Sequence, residues 1–292
     1  MTGTLLTKAP RKRLPKAAST AATSDHRPAH GADSAQALLF ITLGELVWRK
    51  QETIWTSALL SGLAELGVSE NAARKAIYRA NQKNIIQLEK FGRQVRCSIG
   101  EYGIQVFLEG SRTVYSFRAD SPDWDGRWLV VMVTVPESQR EVRHYIKTRL
   151  RWTGMGSPTP GIWIAPRLNQ AAVKVLEEME KGNQIYSYHG TFGPVGNEGA
   201  MVKAAWDIDE IQRLYRNFIR EFGALRPRTA GDKFRAHINL IQAWRRFPYL
   251  DPQLPHQFLP EPWIGRDAAA LFHDLHNQWS AAAMQFWLEI QS

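Results

Sequence analysis

Residues 68–84 read VSENAARKAIYRANQKN, and the length and spacing of this stretch predict one short helix. Ser69 stands where an N-cap is needed, and Glu70 suits the first turn of the helix dipole. On a wheel turning about 100° per residue, Ala72, Ala73, Ala76, Ile77 and Ala80 share one side. Asn71, Arg74, Lys75, Tyr78 and Gln82 share the other, with Arg79 at the flank. The small inner side chains let this helix sit close to its neighbours while long polar side chains project outward.

Working outward, SAQALLFITLGELVW (34–48) carries Leu38, Leu39, Ile41, Leu43 and Leu46 at helical spacing, with Ser34 as N-cap. IWTSALLSGLAELG (54–67) repeats the pattern, with Thr56 as cap, Leu59, Leu60, Leu63 and Leu66 inward and Gly67 as the stop. After the opening stretch, IIQLEKFGRQVRCSI (85–99) alternates apolar and polar residues on both sides of Gly92, which predicts a hairpin with one buried face. Lys90 and Arg93 flank its turn, and Arg96 faces away from Val95 and Cys97. Three helices followed by a basic hairpin predict a winged helix-turn-helix whose second, reading helix is 68–84. The expected DNA-binding set is Thr56, Ser69, Asn71, Arg74, Lys75, Tyr78, Arg79, Lys90, Arg93 and Arg96. An ordinary solvated helix face is the competing reading. It is outweighed by a short turn between capped helices, an outer face with no acid at its centre, and cations at the hairpin tip.

The rest of the chain divides by pattern. Residues 1–33 are rich in Ala, Thr, Ser, Pro and basic residues without apolar periodicity, and read as a disordered basic tail. Its Lys8, Arg11, Lys12, Arg13 and Lys16 could meet phosphates, and an organellar transit peptide or a solubilising tail would look similar. Residues 34–117 form the winged-helix unit, closing with a short helix within 101–117. Residues 118–206 alternate strand (RWLVVMVTV, GIWIAP, NQIYSYHGTFG) with helix (SQREVRHYIKTRLRWTG, LNQAAVKVLEEMEKG), with GAMVKAAW as a candidate further strand. That alternation predicts an α+β, ferredoxin-like middle domain. Residues 207–292 are read as a helical C-terminal domain serving dimerisation and effector response. The prolines at 248, 252, 255, 260 and 262 hold an extended connector there.

At 292 residues the chain has room for two or three domains, each able to bury a core. A formal charge of +9 favours anionic partners such as nucleic acid or an anionic membrane surface. The single cysteine, Cys97, excludes an intrachain disulfide and a multi-cysteine zinc site, and a reducing cytosol fits. Alternation with outward residues makes Cys97 a buried structural thiol. The chain has no run of about 18 apolar residues, so no membrane span is expected, and a cytoplasmic, nucleoid-associated protein is.

Three blocks carry a resemblance: WDGRW (124–128), PGIWIAPR (160–167) and WRRFPYLDPQLP with FLPEPWIG (244–255 and 258–265). They resemble the PaaX-like family of transcriptional repressors of phenylacetate degradation, over roughly residues 34–290. The resemblance implies a winged helix, a ferredoxin-like middle domain and a helical C-terminal domain. It also implies a homodimer on a double-stranded DNA operator, released by an aryl-CoA thioester. Two steps depart from the family pattern. Asn84-Ile85-Ile86 stands where a Gly-Trp-Leu-type exit from the reading helix is usual, and Val95-Arg96-Cys97 where paired tyrosines are.

The middle domain also resembles small ferredoxin-like nucleases, which carry an aspartate at the end of the first strand. Thr134 occupies that position here and supplies no anionic metal ligand, so the nuclease alternative is disfavoured. GMGSPTPG (154–161) lacks the Gly-Lys-Ser/Thr ending of a P-loop and reads as a loop between helix and strand. HDLH puts His273 and His276 on one helix face, but no third ligand lies near in sequence, and packing histidines are the simpler reading. No catalytic constellation, cofactor or metal is expected. An acyl-CoA effector needs cations and an apolar slot. Arg127, Arg167, Arg245 and Arg246 beside Trp128, Trp163 and Trp244 supply the residue types. Arginines paired with acids between domains, and tryptophans filling cores, are the plainer account.

Overall fold

The computed structural model describes residues 35–50, 53–117, 123–179 and 184–292, so the basic tail lies outside the described residues. Helix α1 (Ala35–Thr42) runs on into a π-helical turn, Leu43–Val47, and a 3-10 turn, Trp48–Lys50. The wide turn brings Leu43, Glu45, Leu46 and Val47 all inward. Strand β1 (Ile54–Trp55) leads into α2 (Thr56–Glu65). Trp55, not Thr56, takes the N-cap position, because the short strand carries extended backbone up to Trp55 and Thr56 is already helical.

Helix α2 ends as its sequence requires. Gly67 adopts φ +78, its N–H reaches Ala64 O at 2.9 Å, and Val68 N–H reaches Leu63 O at 3.0 Å, which is a Schellman closure. Helix α3 (Glu70–Gln82) buries Ala73, Ala76, Ile77 and Ala80. It closes in the same way on Asn84, at φ +53, with Ile85 N–H on Ala80 O. Ser69 is its N-cap by position, without a side-chain bond. Strands β2 (Ile86–Phe91) and β3 (Gln94–Ile99) form the hairpin, with Phe91 opposite Gln94, and β1 adds to the far edge of β3. Gly92, at φ +62, starts the two-residue turn, where left-handed backbone is needed. Helix α4 (Glu101–Tyr115) then fills its whole segment.

The middle region runs β4 (Arg127–Thr134), α5 (Arg140–Trp152), β5 (Gly156–Thr159), β6 (Ile162–Ala165), α6 (Gln170–Met179) and β7 (Gln184–Thr191). This βαββαβ order builds an antiparallel sheet, β5-β6-β4-β7. One sheet face packs Leu129, Val131, Val133 and Trp163 against Ile146 and Leu150 of α5 and Val175 of α6. The other carries Trp128 and Ile164 under Val202, Leu254 and Phe258. Two expectations are corrected here. GAMVKAAW is not a strand but helix α7 (Glu198–Ala205), started by Asn197, whose side chain accepts Ala200 N–H at 2.8 Å. Part of GMGSPTPG is not loop but the edge strand β5, paired to β6 around the Gly161 turn.

Helices α8 (Ile208–Gly223), α9 (Ala230–Trp244), α10 (Phe247–Leu250) and α11 (Gly265–Gln291) complete the chain. A reciprocal capping box between Thr229 and Asp232 opens α9. These helices do not bury a core of their own. Leu39, Leu59 and Ile77 of the N-terminal segment join Phe234, Trp244, Phe272 and Trp279 in one continuous cluster. Gly62 of α2 lies so close to Trp287 of α11 that a Cβ there would stand 2.7 Å from the ring. Arg235 of α9 reaches Glu65 of α2 at 2.8 Å. Among the described residues, 35–117 and 207–292 therefore share one packed core, and the βαββαβ unit holds a cluster of its own.

Candidate nucleic-acid interface

The outer face of α3 is solvent-exposed along its length: Asn71, Arg74, Lys75, Tyr78, Arg79 and Gln82 all face water. Tyr78 is 62% exposed, far more than a tyrosine with a packing role. Glu70 sits at the N-terminal edge of this face and draws the Arg74 guanidinium to 2.6 Å. One cation of the expected set is thus held by a neighbouring acid, across a fully hydrated pair worth little in stability.

The hairpin places Lys90 and Arg93 at its exposed tip. Arg96 is held differently. Its Cζ lies 4.9 Å from the Trp55 ring centroid and 4.5 Å from that of Phe91, two rings themselves 6.4 Å apart. The aromatic pair grips the planar cation by its faces and leaves its N–H edges available to an anion. Trp55 and Phe91, the latter 59% exposed, were not in the expected set. Only the pairing Trp55↔Arg96 reveals them, since they lie on either side of α2 and α3 in sequence. On the buried side of β3, desolvation pushes the Cys97 thiol up to about 12, as fits an inert core residue.

The residues expected to hold an effector do not come together. Trp163 is core, and Trp128 is buried with its indole N–H on Glu198 at 2.7 Å. Arg127 is exposed on β4, and Arg167 donates to the Gln253 carbonyl at 2.9 Å. Arg245 and Arg246, in contrast, line a cleft of about 1450 Å³ between α5, α8 and α9. Arg151, Arg226, Arg228 and Arg235 stand on its walls as well. Burial lowers the Arg245 and Arg246 guanidiniums from their ordinary value, against the opposing pull of Tyr249 and Glu221. Cations so desolvated gain from any anion that enters. Arg245 and Tyr249 also border a smaller apolar pocket of about 140 Å³, walled by Phe40, Val106 and Phe107.

Beside that pocket is a polar cluster that the sequence pattern did not reveal. Glu45 of the π-helical turn, only 7% exposed, accepts the Tyr115 hydroxyl on Oε2 at 2.5 Å. Its Oε1 stands 3.2 Å from His237 Nε2 and 3.0 Å from His276 Nε2. Burial of Glu45 works to raise its pKa, but the two histidines and Tyr115 outweigh it and hold the carboxyl well below the usual range. Burial lowers His237, partly offset by Glu45. Of the HDLH pair, only His276 belongs to this cluster.

Comparison with known proteins bears on the whole chain. Three family models match in series: "PaaX-like protein" at residues 34–102, "PaaX protein central Cas2-like domain" at 121–202, and "PaaX-like protein C-terminal domain" at 206–289. The chain belongs to the PaaX-like family. A curated relative, the transcriptional repressor PaaX of Escherichia coli strain K12, is 26% identical over 265 residues, 87% of this chain and 83% of that protein. An uncharacterized protein of Mycobacterium tuberculosis, Rv0674, shares the fold at a TM-score of 0.58 and 16% identity, covering 88% of this chain and 99% of that one. The matched central model spans the βαββαβ unit. There Thr134 ends β4, paired with Gln184, and among the described residues no three His, Cys, Asp or Glu side chains gather around it.

Proposed function

We propose that this PaaX-like protein is a DNA-binding transcriptional repressor of an aromatic, phenylacetate-type catabolic operon. The observation that carries the reading is the exposed face of α3 beside the cationic tip of the β2–β3 hairpin. The reading takes α2 and α3 as a helix-turn-helix and the hairpin as its wing. Asn71, Arg74, Lys75 and Tyr78 meet base edges or phosphates in the major groove, Arg74 on leaving Glu70, and Lys90, Arg93 and Arg96 grip the flanking backbone. In this reading Thr56 and Ser69, at the starts of their helices, donate to phosphates. The relative's name, a transcriptional repressor, supports the same reading.

The test is a gel shift on promoter fragments with Arg74→Ala combined with Lys75→Ala. Retention is expected to disappear while far-UV circular dichroism stays unchanged; undiminished retention overturns the reading. A metal-dependent cleavage assay on DNA and RNA separates it from the nuclease alternative, since a repressor leaves both intact.

The effector in this reading is an acyl-CoA thioester, and the arginine-lined cleft supports it. Six arginines line the cleft beside Glu210, Glu221 and Asp232. Arg235 is held by Glu65 and Asp232, and Arg245 and Arg246 are the pair this reading gives to phosphates. The apolar pocket that shares Arg245 and Tyr249 offers room for an aryl group. This moves the effector site away from Arg127, Trp128, Trp163 and Arg167 and keeps Arg245 and Arg246. A homodimer follows from the family resemblance, and light scattering at micromolar concentration checks it. No helix of the described residues is long and apolar enough to cross a membrane, consistent with a protein that meets DNA in the cytoplasm.

A further inference from the structure

We propose that Glu45, His237 and His276 form a binding site for a divalent transition-metal ion of the zinc class, clasping the N-terminal helices to the C-terminal ones. The three ligand atoms, one from each side chain, lie within 4.8 Å of one another and are the one such group among the described residues. A zinc ion sits about 2.0–2.2 Å from imidazole nitrogen and carboxylate oxygen, so tetrahedral ligand atoms stand about 3.3 Å apart. Glu45 Oε1 already lies 3.2 Å and 3.0 Å from the two Nε2 atoms. The two Nε2 atoms lie within 4.8 Å of each other, so the imidazoles close toward one another when they take the ion.

Chemistry and placement agree with geometry. Two imidazoles and one carboxylate are the donor set that zinc prefers over the hard cations, which take oxygen alone. The Tyr115 hydroxyl occupies Oε2, which leaves Oε1 as the single oxygen turned to the histidines. His237 is wholly buried and Glu45 nearly so, while the small apolar pocket reaches Glu45 and Tyr115 and provides an entry path. Glu45 also sits in the middle of a π-helical turn, a rare local geometry that recurs at functional sites. Each ligand comes from a different helix: the turn after α1, α9 and α11. An ion bound there links three elements that stand far apart along the chain.

His237 Nδ1 has no hydrogen-bond partner among the described residues. Histidine ligands lacking such an outer bond hold metal about 10–100-fold less tightly. The site is therefore reloadable, and ordinary purification with a chelator strips it.

The experiment uses the full, tag-free chain, stripped with a chelator and titrated with cobalt chloride and then zinc chloride. One equivalent of cobalt is expected to give the visible absorption of a four-coordinate ion, which zinc abolishes. Zinc is expected to raise the Tm by at least about 2 °C. His276→Gln and Glu45→Gln lose both responses whatever their basal Tm, and His189→Gln, an exposed histidine of β7, keeps both. Responses that persist in His276→Gln, or a wild-type chain that gives neither, overturn the proposal. X-ray absorption on the zinc-loaded wild type gives a reading independent of any variant. Two imidazole ligands are expected, and another number overturns the site. None of these outcomes depends on DNA binding.

Discussion

Trp287 of the last helix closes directly over Gly62 of α2, leaving no space for even a methyl group between them. Gly62→Ala should gain about 1 kcal/mol of helix propensity and lose about 1–3 kcal/mol to overpacking, for a net destabilisation. Urea unfolding measures it. Trp287→Leu in the Gly62→Ala background should recover part of the loss, a coupling that a double-mutant cycle isolates.

The Glu70–Arg74 pair makes a prediction of opposite sign. Glu70→Gln removes an acid from the proposed reading face and releases the Arg74 guanidinium. Operator affinity should rise, and the dependence of log K on log salt should steepen by about one. Lys75→Ala and Arg93→Ala should each flatten that slope by about one if, as proposed, each side chain meets a phosphate. Fluorescence anisotropy over a salt series reads all three.

A third prediction concerns Asp251. It is almost wholly buried, and desolvation raises its carboxyl from 3.8 to about 6, against the opposing hydrogen bonds from Tyr215 O–H at 2.8 Å and Gln253 N–H at 2.7 Å. The folded state thus holds its proton more tightly than the unfolded one. Stability from this group is present below about pH 4 and is lost as pH rises through about 6, by about 3 kcal/mol. Asp251→Asn should remove that fall. Urea unfolding at about pH 4 and about pH 7 compares the two proteins.

For the cleft, Arg245→Met with Arg246→Met should raise the concentration of aryl-CoA thioester needed to release DNA by about 10-fold or more. DNA affinity without effector should not change, because neither side chain lies on the α3 or hairpin face. A gel shift titrated with the thioester reads both quantities.

The α3 face was legible because a helix declares its inward side by local spacing. Ala73, Ala76, Ile77 and Ala80 are buried where the wheel puts them, and Gly67 ends α2 as its residue type requires. GAMVKAAW misled because alanine-rich segments carry no period-two or helical contrast. Its one real signal was Asn197, a cap lying just outside the stretch. Trp55 and Phe91 became visible only when pairing placed both beside Arg96. The Glu45 cluster was beyond any local pattern, since its histidines lie 192 and 231 residues away along the chain. The expected effector residues are dispersed for a related reason. Residue type identified cations and tryptophans, but only packing decided which tryptophans were core and which arginines shared a cleft.

The single core shared by residues 35–117 and 207–292 bears on how such repressors can be re-engineered. A designer wishing to graft a new operator specificity would cut after residue 117, where the sequence suggests a module ends. That cut strips Leu39, Leu59 and Gly62 of the helices that cover them, and the fragment would carry a bare oily flank into solution. The middle unit is no freer a module, since Trp128 and Ile164 lie under Leu254 and Phe258 of the C-terminal segment, and an exchange there would have to carry the same apolar face.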